Sequence, residues 1–373
     1  MASAADDRRF MARALELSRR HTGLTLTNPS VGCVIVKDGE VVGEAVTASG
    51  GRPHAETQAL DMAGEKARGA TVYVTLEPCS HYGRTPPCAN ALVEAGVARV
   101  VMCLTDPDPR VSGRGIAILR DAGIAVETGL MEEEGRRALA GYLTRQTKGR
   151  PHVTLKLAVS ADSMLGRRGE EVAITGPEVK AEVHRLRAQS DAILIGIGTA
   201  LSDDPELTVR IPGLEDRSPL RIVLDRRLEL PLTSKLAQTA KQVPVIVVAA
   251  PHSTGQFEGA ASPPSVDNDP AAKAAALRSA GVEIMDDTEL DILLAVLAVR
   301  GMSSLLVEGG ATVAKAFLDA GLVDRVILFQ GTGMIGEGGL ESPLLPSDMP
   351  AGFKRVREAV FGADRMFEYE RSF

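Results

Sequence analysis

The stretch "PHAETQALDMAGEKARGATVYVTLEPCSHYGRTPPCANALVEAG", residues 53–96, decides the reading of the first half of the chain. After Pro53, the spacing of Ala55, Ala59, Leu60 and Ala63 predicts a helix. "ATVYVTLEP" then reads as a strand, and "PPCANALVEAG" as a second helix with proline near its start and Gly96 at its end. Set into this helix–strand–helix frame are His54, Glu56, Cys79 and Cys88, with eight residues between the two cysteines.

Upstream, "VGCVIVKDGEVVGEAVT" (31–47) places two apolar runs around a Lys-Asp-Gly-Glu turn, a hairpin signal. Downstream, "RVVMCLTDP" predicts a strand, "GIAILRDAG" a helix and "IAVETG" a short strand. Strands alternating with helices imply a largely parallel sheet covered on both faces, an α/β fold. The polar "TRQTKGRP" (144–151) reads as a linker, which divides the chain into domains 1–147 and 151–373. Beyond it, "HVTLKLAVS", "DAILIGIG", "LRIVLD", "VPVIVVAA", "SLLVEGG" and "RVILFQ" have the continuous apolar character of buried parallel strands. Residues 251–270, rich in Ser, Pro and Gly, read as a surface loop. No internal repeat is visible, so the halves are expected to be different domains.

With 373 residues the chain suits two or three full cores. Its net charge of −7 and 3% aromatic content, with no Trp, argue against nucleic acid as a partner, which would need cationic surface and stacking platforms. No apolar run reaches the ~18 residues of a membrane span, and "MASAADDRRFMARALELSRR" reads as an amphipathic helix rather than a signal peptide. Four cysteines in so long a chain are no disulfide framework. These features together predict a soluble, cytoplasmic protein. The sequence leaves oligomeric state open, a homo-oligomer included.

One imidazole and two thiolates form a soft three-ligand set suited to zinc, with a fourth position left for water. His54, Cys79 and Cys88 supply that set. Water so placed has a pKa near ~7, and Glu56, two residues after His54, can move its proton without binding the metal. His-x-Glu followed by Pro-Cys and a second Cys is the signature of zinc deaminases, although that pattern has Cys-x-x-Cys. Two other readings stand beside it: a closed structural zinc with Cys33 or His81 as fourth ligand, and a metal-free cysteine pair. Cys33 and Cys103 lie in apolar strand patterns and are expected in the core.

"TNPSVGCVIV", "HAE", "LEPCSHYGRTPPC" and "DPDPRVSGRGI" strongly resemble the deaminase half of the bifunctional riboflavin-biosynthesis deaminase–reductases. "VTLKLAVSAD", "LRAQSDAILIGIGTALSDDPELTVR" and "LLVEGGATVAKAFL" resemble the reductase half of the same family. The resemblance covers almost the whole chain. It implies an N-terminal cytidine-deaminase-like three-layer domain, a C-terminal dihydrofolate-reductase-like domain, and zinc and NADPH as cofactors. The implied substrate is a small molecule, a pyrimidine carrying a ribose phosphate, first deaminated by hydrolysis and then reduced from ribosyl to ribityl.

By the same resemblance, Asn28, Lys156, Arg187, Leu207, Arg210 and Glu308 match substrate contacts, and Ala158, Thr199, Asp203, Gly310, Ala311 and Thr312 match cofactor contacts. Arginine suits a phosphate dianion through its paired N–H donors, and the free N–H groups at a helix start suit the cofactor phosphates. Several positions depart from the family pattern. The usual S-x-D-G reads Ser160-Ala161-Asp162-Ser163, S-x-W-I-T reads Glu171-Val172-Ala173-Ile174-Thr175, and Arg226 follows Asp225 where Ser or Thr is common. These departures keep a second reading open, in which the C-terminal half is a weakened scaffold beside an active deaminase. "GTGMIG" (331–336) matches G-x-G-x-x-G, but "EGGLESPLLP" after it cannot continue a helix. Its glycines are expected to shape a loop near the second site rather than a dinucleotide fingerprint.

Overall fold

The protein is described by a computed structural model covering residues 3–82, 86–167, 172–250, 270–286 and 289–371. It divides into two compact units, Met1–Arg150 and Pro151–Phe373.

The first unit runs α1 (Ala4–Arg20), β1 (Gly32–Lys37), β2 (Glu40–Val46), α2 (Ala55–Ala63), β3 (Thr71–Val74), α3 (Cys88–Ala95), β4 (Arg99–Met102), α4 (Arg114–Asp121), β5 (Ala125–Thr128), α5 (Glu132–Ala138) and α6 (Ala140–Lys148). Its sheet has the order β2-β1-β3-β4-β5. β1 and β2 form the expected hairpin, whose turn residues Asp38 and Gly39 both have positive φ, 51° and 83°. β3, β4 and β5 are parallel, so their C-terminal ends share one edge. A Ser3–Asp6 capping box starts α1, which then buries Phe10, Met11, Ala14 and Leu15 in the core.

Residues 144–148, expected as linker, instead form the end of α6. The polar composition misleads because Leu143 and Thr144 are buried on the inner face while Thr147 and Lys148 are exposed. The helix ends only at Gly149, which takes the left-handed conformation (φ 64°).

The second unit runs β6 (His152–Val159), β7 (Met164–Arg167), α7 (Pro177–Ala188), β8 (Ala192–Gly196), α8 (Ile197–Asp203), β9 (Leu220–Leu224), α9 (Lys235–Gln238), β10 (Val245–Ala249), α10 (Pro270–Ala280), β11 (Val282–Asp286), α11 (Leu290–Val299), β12 (Ser304–Val307), α12 (Ala311–Asp319), β13 (Arg325–Gln330), β14 (Gly339–Glu341), β15 (Phe353–Phe361) and β16 (Asp364–Arg371). Nine strands form one sheet in the order β11-β10-β9-β8-β12-β6-β13-β16-β15. The first seven are mutually parallel and β16 and β15 add an antiparallel hairpin. Every apolar run anticipated as a strand in this half is one. The loop expected at 251–270 lies, but for Pro270, outside the described residues.

Candidate active sites

His54 is the N-cap residue of α2, and Glu56 lies in the first turn of that helix. Cys79 follows β3, and Cys88 opens α3 after Pro87. The long loop between the cysteines is pinned at its base. Cys88 N donates to Cys79 Sγ at 3.3 Å and Ala89 N to the Cys79 carbonyl at 3.2 Å. These contacts at the loop's two ends hold the two sulfurs close together. Gly115, in the first turn of α4, lets that helix press against this strand end. A Cβ there would stand 2.2 Å from the Pro78 carbonyl oxygen.

His54 Nδ1 lies 3.6 Å from Cys79 Sγ and 3.4 Å from Cys88 Sγ. A tetrahedral zinc with Zn–N near ~2.05 Å and Zn–S near ~2.3 Å would place nitrogen and sulfur about 3.6 Å apart, so the donor atoms fit the ion. The protonation pattern points the same way. The Cys88 thiol and the His54 ring draw the Cys79 thiol down to about 4 against the effect of burial, whereas Cys79 and burial push Cys88 up. Two neighbouring sulfurs contest one proton, a conflict that a divalent cation removes. Among the described residues, His54, Cys79 and Cys88 are the only group of three or more such side chains close enough to share an ion. Neither Cys33 nor His81 joins it, and Cys33 and Cys103 are fully buried core residues.

Glu56 is buried, and burial pushes its carboxyl up to about 7. It lines a cavity with Asn28, His54 and Cys79. The same lining holds residues that sequence reasoning missed, among them Asp106, Asp108, Tyr142 and Arg145. Glu77 fixes part of this lining, its buried carboxylate accepting from the backbone N–H groups of Asp106, Gly113, Gly115 and Ile116. Tyr142 donates to Asp106 at 2.9 Å. His81 Nδ1 and Arg145 Nε are buried there with no partner among the described residues, which leaves polar atoms for a ligand to satisfy.

In the second unit a cavity of about 340 Å³ is within the ~300–1,000 Å³ usual for small-molecule sites. It is lined by Lys156, Ala158, Arg187, Thr199, Asp203, Leu207, Glu308, Gly310 and Ala311. Lys156 stands on β6 between β12 and β13, a central position rather than a sheet edge. Glu308 follows β12 and takes both Nε and Nη2 of Arg187, at 2.8 and 3.1 Å, with Lys156 Nζ 3.9 Å away. Burial alone would push Glu308 up, but Arg187 and Lys156 outweigh it and hold the carboxyl below its ordinary value. Gly310 is the N-cap of α12, and Thr199 Oγ1 lies where a Gly310 side chain would begin to touch it, at 3.6 Å.

Two expected residues, Arg210 and Thr312, are not among the cavity's lining. Arg210 is exposed, paired with Glu206 at 2.9 Å, and its backbone N–H donates to His184 Nδ1 at 3.2 Å. "GTGMIG" follows β13 with no helix after it. Gly331 is required by close approach, since a Cβ there would lie 1.9 Å from the carbonyl oxygen of Ile174, which lines the cavity. Ser163, where the family pattern has glycine, takes φ 67°, so the position demands a left-handed backbone. Glu171 lies outside the described residues.

Fold and sites together define a deaminase joined in one chain to a reductase. Residues 4–104 match the cytidine and deoxycytidylate deaminase zinc-binding region, and residues 151–358 match the RibD C-terminal domain. The chain is 42% identical to the riboflavin biosynthesis protein RibD of Escherichia coli, over 94% of this chain and 96% of that one. It is 40% identical to RibD of Aquifex aeolicus, over 89% and 88%. Among solved structures, Acinetobacter baumannii RibD matches with a TM-score of 0.84 at 35% identity over the full length of both chains. A Thermotoga maritima diaminohydroxyphosphoribosylaminopyrimidine deaminase/5-amino-6-(5-phosphoribosylamino)uracil reductase matches at 0.81 and 34%, covering 99% of each.

The chain belongs to the RibD family of riboflavin biosynthesis proteins. It is a bifunctional enzyme with a zinc-binding deaminase domain and a reductase domain of the NADPH-dependent type.

Proposed function

We propose that the first unit removes an amine by hydrolysis from 2,5-diamino-6-ribosylamino-4(3H)-pyrimidinone 5′-phosphate, and that the second reduces the ribosyl side chain of the product to ribityl. The observation that supports this most directly is the placing of Glu56 beside the His54–Cys79–Cys88 cradle at one wall of a cavity. Zinc held by those three side chains would make hydroxide available at neutral pH. Glu56 then takes the proton from the attacking water and delivers it to the departing amine, which leaves as ammonia. Asn28, which lines the same cavity, orients the pyrimidine ring.

In the reductase cavity NADPH supplies the two-electron reduction. Lys156, Arg167 and Arg187 give three positive charges against the carboxylates of Asp203 and Glu308, an excess that suits an anionic sugar phosphate. Leu207 and Arg210 complete the substrate contacts. Lys156 polarises the ribosyl carbonyl or imine as it is reduced. Ala158, Thr199, Asp203 and the α12 start at Gly310, Ala311 and Thr312 receive the cofactor, where free backbone N–H groups favour its phosphates.

The enzyme so read works in the cytoplasm on small molecules, without nucleic acid. Among the described residues no helix is long and apolar enough to cross a membrane. Following ammonia release and NADPH oxidation on one sample of the diamino substrate tests the reading. Ammonia first, then NADPH loss in equal amount, is expected; ammonia without NADPH loss would mean that the second unit does not reduce.

A further inference from the structure

Arg221 is among the largest fully buried side chains of the described residues, 0% exposed on the interior strand β9. A cation so placed ordinarily has a carboxylate partner, yet among the described residues no ion pair satisfies it. Its two terminal nitrogens are spent on oxygens from two loops instead, while Nε has no hydrogen-bond partner among the described residues. Nη1 donates to the Glu206 carbonyl at 3.0 Å and to Thr239 Oγ1 at 2.8 Å. Nη2 donates to the carbonyls of Thr239, at 3.1 Å, and Val243. Thr239 and Val243 belong to the turn between α9 and β10, whereas Glu206 stands between Pro205 and Leu207, which both line the reductase cavity.

The segment around Glu206 holds an unfavourable backbone. Asp204 has φ 38° and Leu207 has φ 56°, both in the left-handed region that non-glycine residues avoid. Such outliers persist only where surrounding contacts over-determine them. Leu207 is nevertheless 3% exposed and lines the cavity, as does Pro205. The contacts that hold the turn can be followed one by one. Asp204 Oδ1 accepts from Lys235 N at 2.9 Å, and Val209 N donates to Ser218 Oγ at 3.0 Å. The Glu206 side chain takes Arg210 Nη1 at 2.9 Å. Arg221 is the one fully buried member of this set, and it grips the same residue whose carboxylate holds Arg210.

We infer that Arg221 is a positioning residue of the reductase: through the Glu206 carbonyl it fixes the strained 204–207 turn, and through Glu206 it sets where Arg210 stands. The inference rests on the reading of Arg210 as a substrate contact. Arg221 itself touches neither substrate nor cofactor.

A double-mutant cycle on the full-length enzyme tests it, with KM for the deaminated substrate and for NADPH, and kcat, measured for R210A, R221K and R210A/R221K. Lysine keeps the charge but cannot reach both loops from one planar group. R210A and R221K are each expected to raise the substrate KM on the order of tenfold, with kcat and the NADPH KM changed by less than about threefold. Because both substitutions act through one contact, the double variant is expected to stay within about twofold of R210A alone. Fully multiplicative losses, or an R221K enzyme with wild-type KM, would overturn the inference while leaving Arg210 as a contact. An unchanged KM in R210A would instead sink the reading beneath it. Should R221K fail to fold, T239V takes its place in the cycle, since it removes one Arg221 partner and spares the guanidinium. The same non-additive rise in substrate KM supports the inference, and an additive or absent one overturns it.

Discussion

Arg187 and Glu308, 121 residues apart in sequence, meet as a two-point ion pair on the wall of the reductase cavity. Both side chains are close to buried, with 12% and 8% exposed. Removing one member of such a pair strands the other's charge in a poor solvent, whereas exposed pairs contribute little. Glu308→Ala leaves Arg187 and Lys156 as two unopposed cations, so the second unit is expected to lose about 3–5 kcal/mol of stability. Calorimetry on the full chain checks this. A melting profile equal to wild type would mean that solvent reaches the pair freely.

Ser163 sits at φ 67°, where glycine carries no steric penalty. Around it, Asp162 accepts from Ile335 N at 3.0 Å and Gly336 N at 2.7 Å, which fixes the 333–336 loop whatever residue follows. Ser163→Gly is therefore expected to stabilise the second unit by up to ~1 kcal/mol, less the entropy lost on ordering a glycine, and to leave NADPH oxidation unchanged. Denaturant titration and steady-state rates check both halves of the expectation. A fall in reduction rate would show that the serine hydroxyl takes part.

In the first unit Arg99 grips both oxygens of Asp7 at 2.8 Å, and Tyr73 donates to the same carboxylate. The Arg99 bonds hold the Asp7 carboxyl below its ordinary value, against the effect of burial. A carboxyl with a lowered folded-state pKa contributes stability that is present above its unfolded value and lost as pH falls through the folded one. The contribution is thus expected to be complete above about pH 4 and to fade below it. Comparing the melting temperatures of wild type and Asp7→Asn across that range tests the sign. The gap between them narrows on acidification, whereas a gap that widened would contradict the account.

The candidate metal ligands were legible in sequence because each chemical type sits beside a structural marker. His54 precedes a helix, Cys79 follows a strand and Cys88 follows Pro87. The core strands of the second unit were legible from their continuous apolar runs. Residues that act through tertiary contact were not. Glu77 lies directly before Pro78-Cys79, but its four N–H donors come from residues 106–116. Tyr142 and Arg145 reach the deaminase cavity from a helix whose polar face resembles a linker. The β15–β16 hairpin escaped because the outer strand, "FKRVREAVF", carries paired charges and no buried residue instead of an apolar run. Arg221 reads as one polar residue in an apolar strand, and only the folded chain shows which carbonyls it reaches.

The central claim is that Glu56 moves the proton at a catalytic zinc. Glu56→Gln keeps the side chain's shape and leaves His54, Cys79 and Cys88 untouched, but the amide cannot accept a proton at neutral pH. The most direct measurement takes zinc content, ammonia release and NADPH oxidation on this one variant. Zinc near one per chain, deamination reduced by at least ~100-fold, and wild-type reduction of an already deaminated substrate are the expected result. Deamination retained at its wild-type rate would contradict the account and leave the His54–Cys79–Cys88 zinc a structural ion.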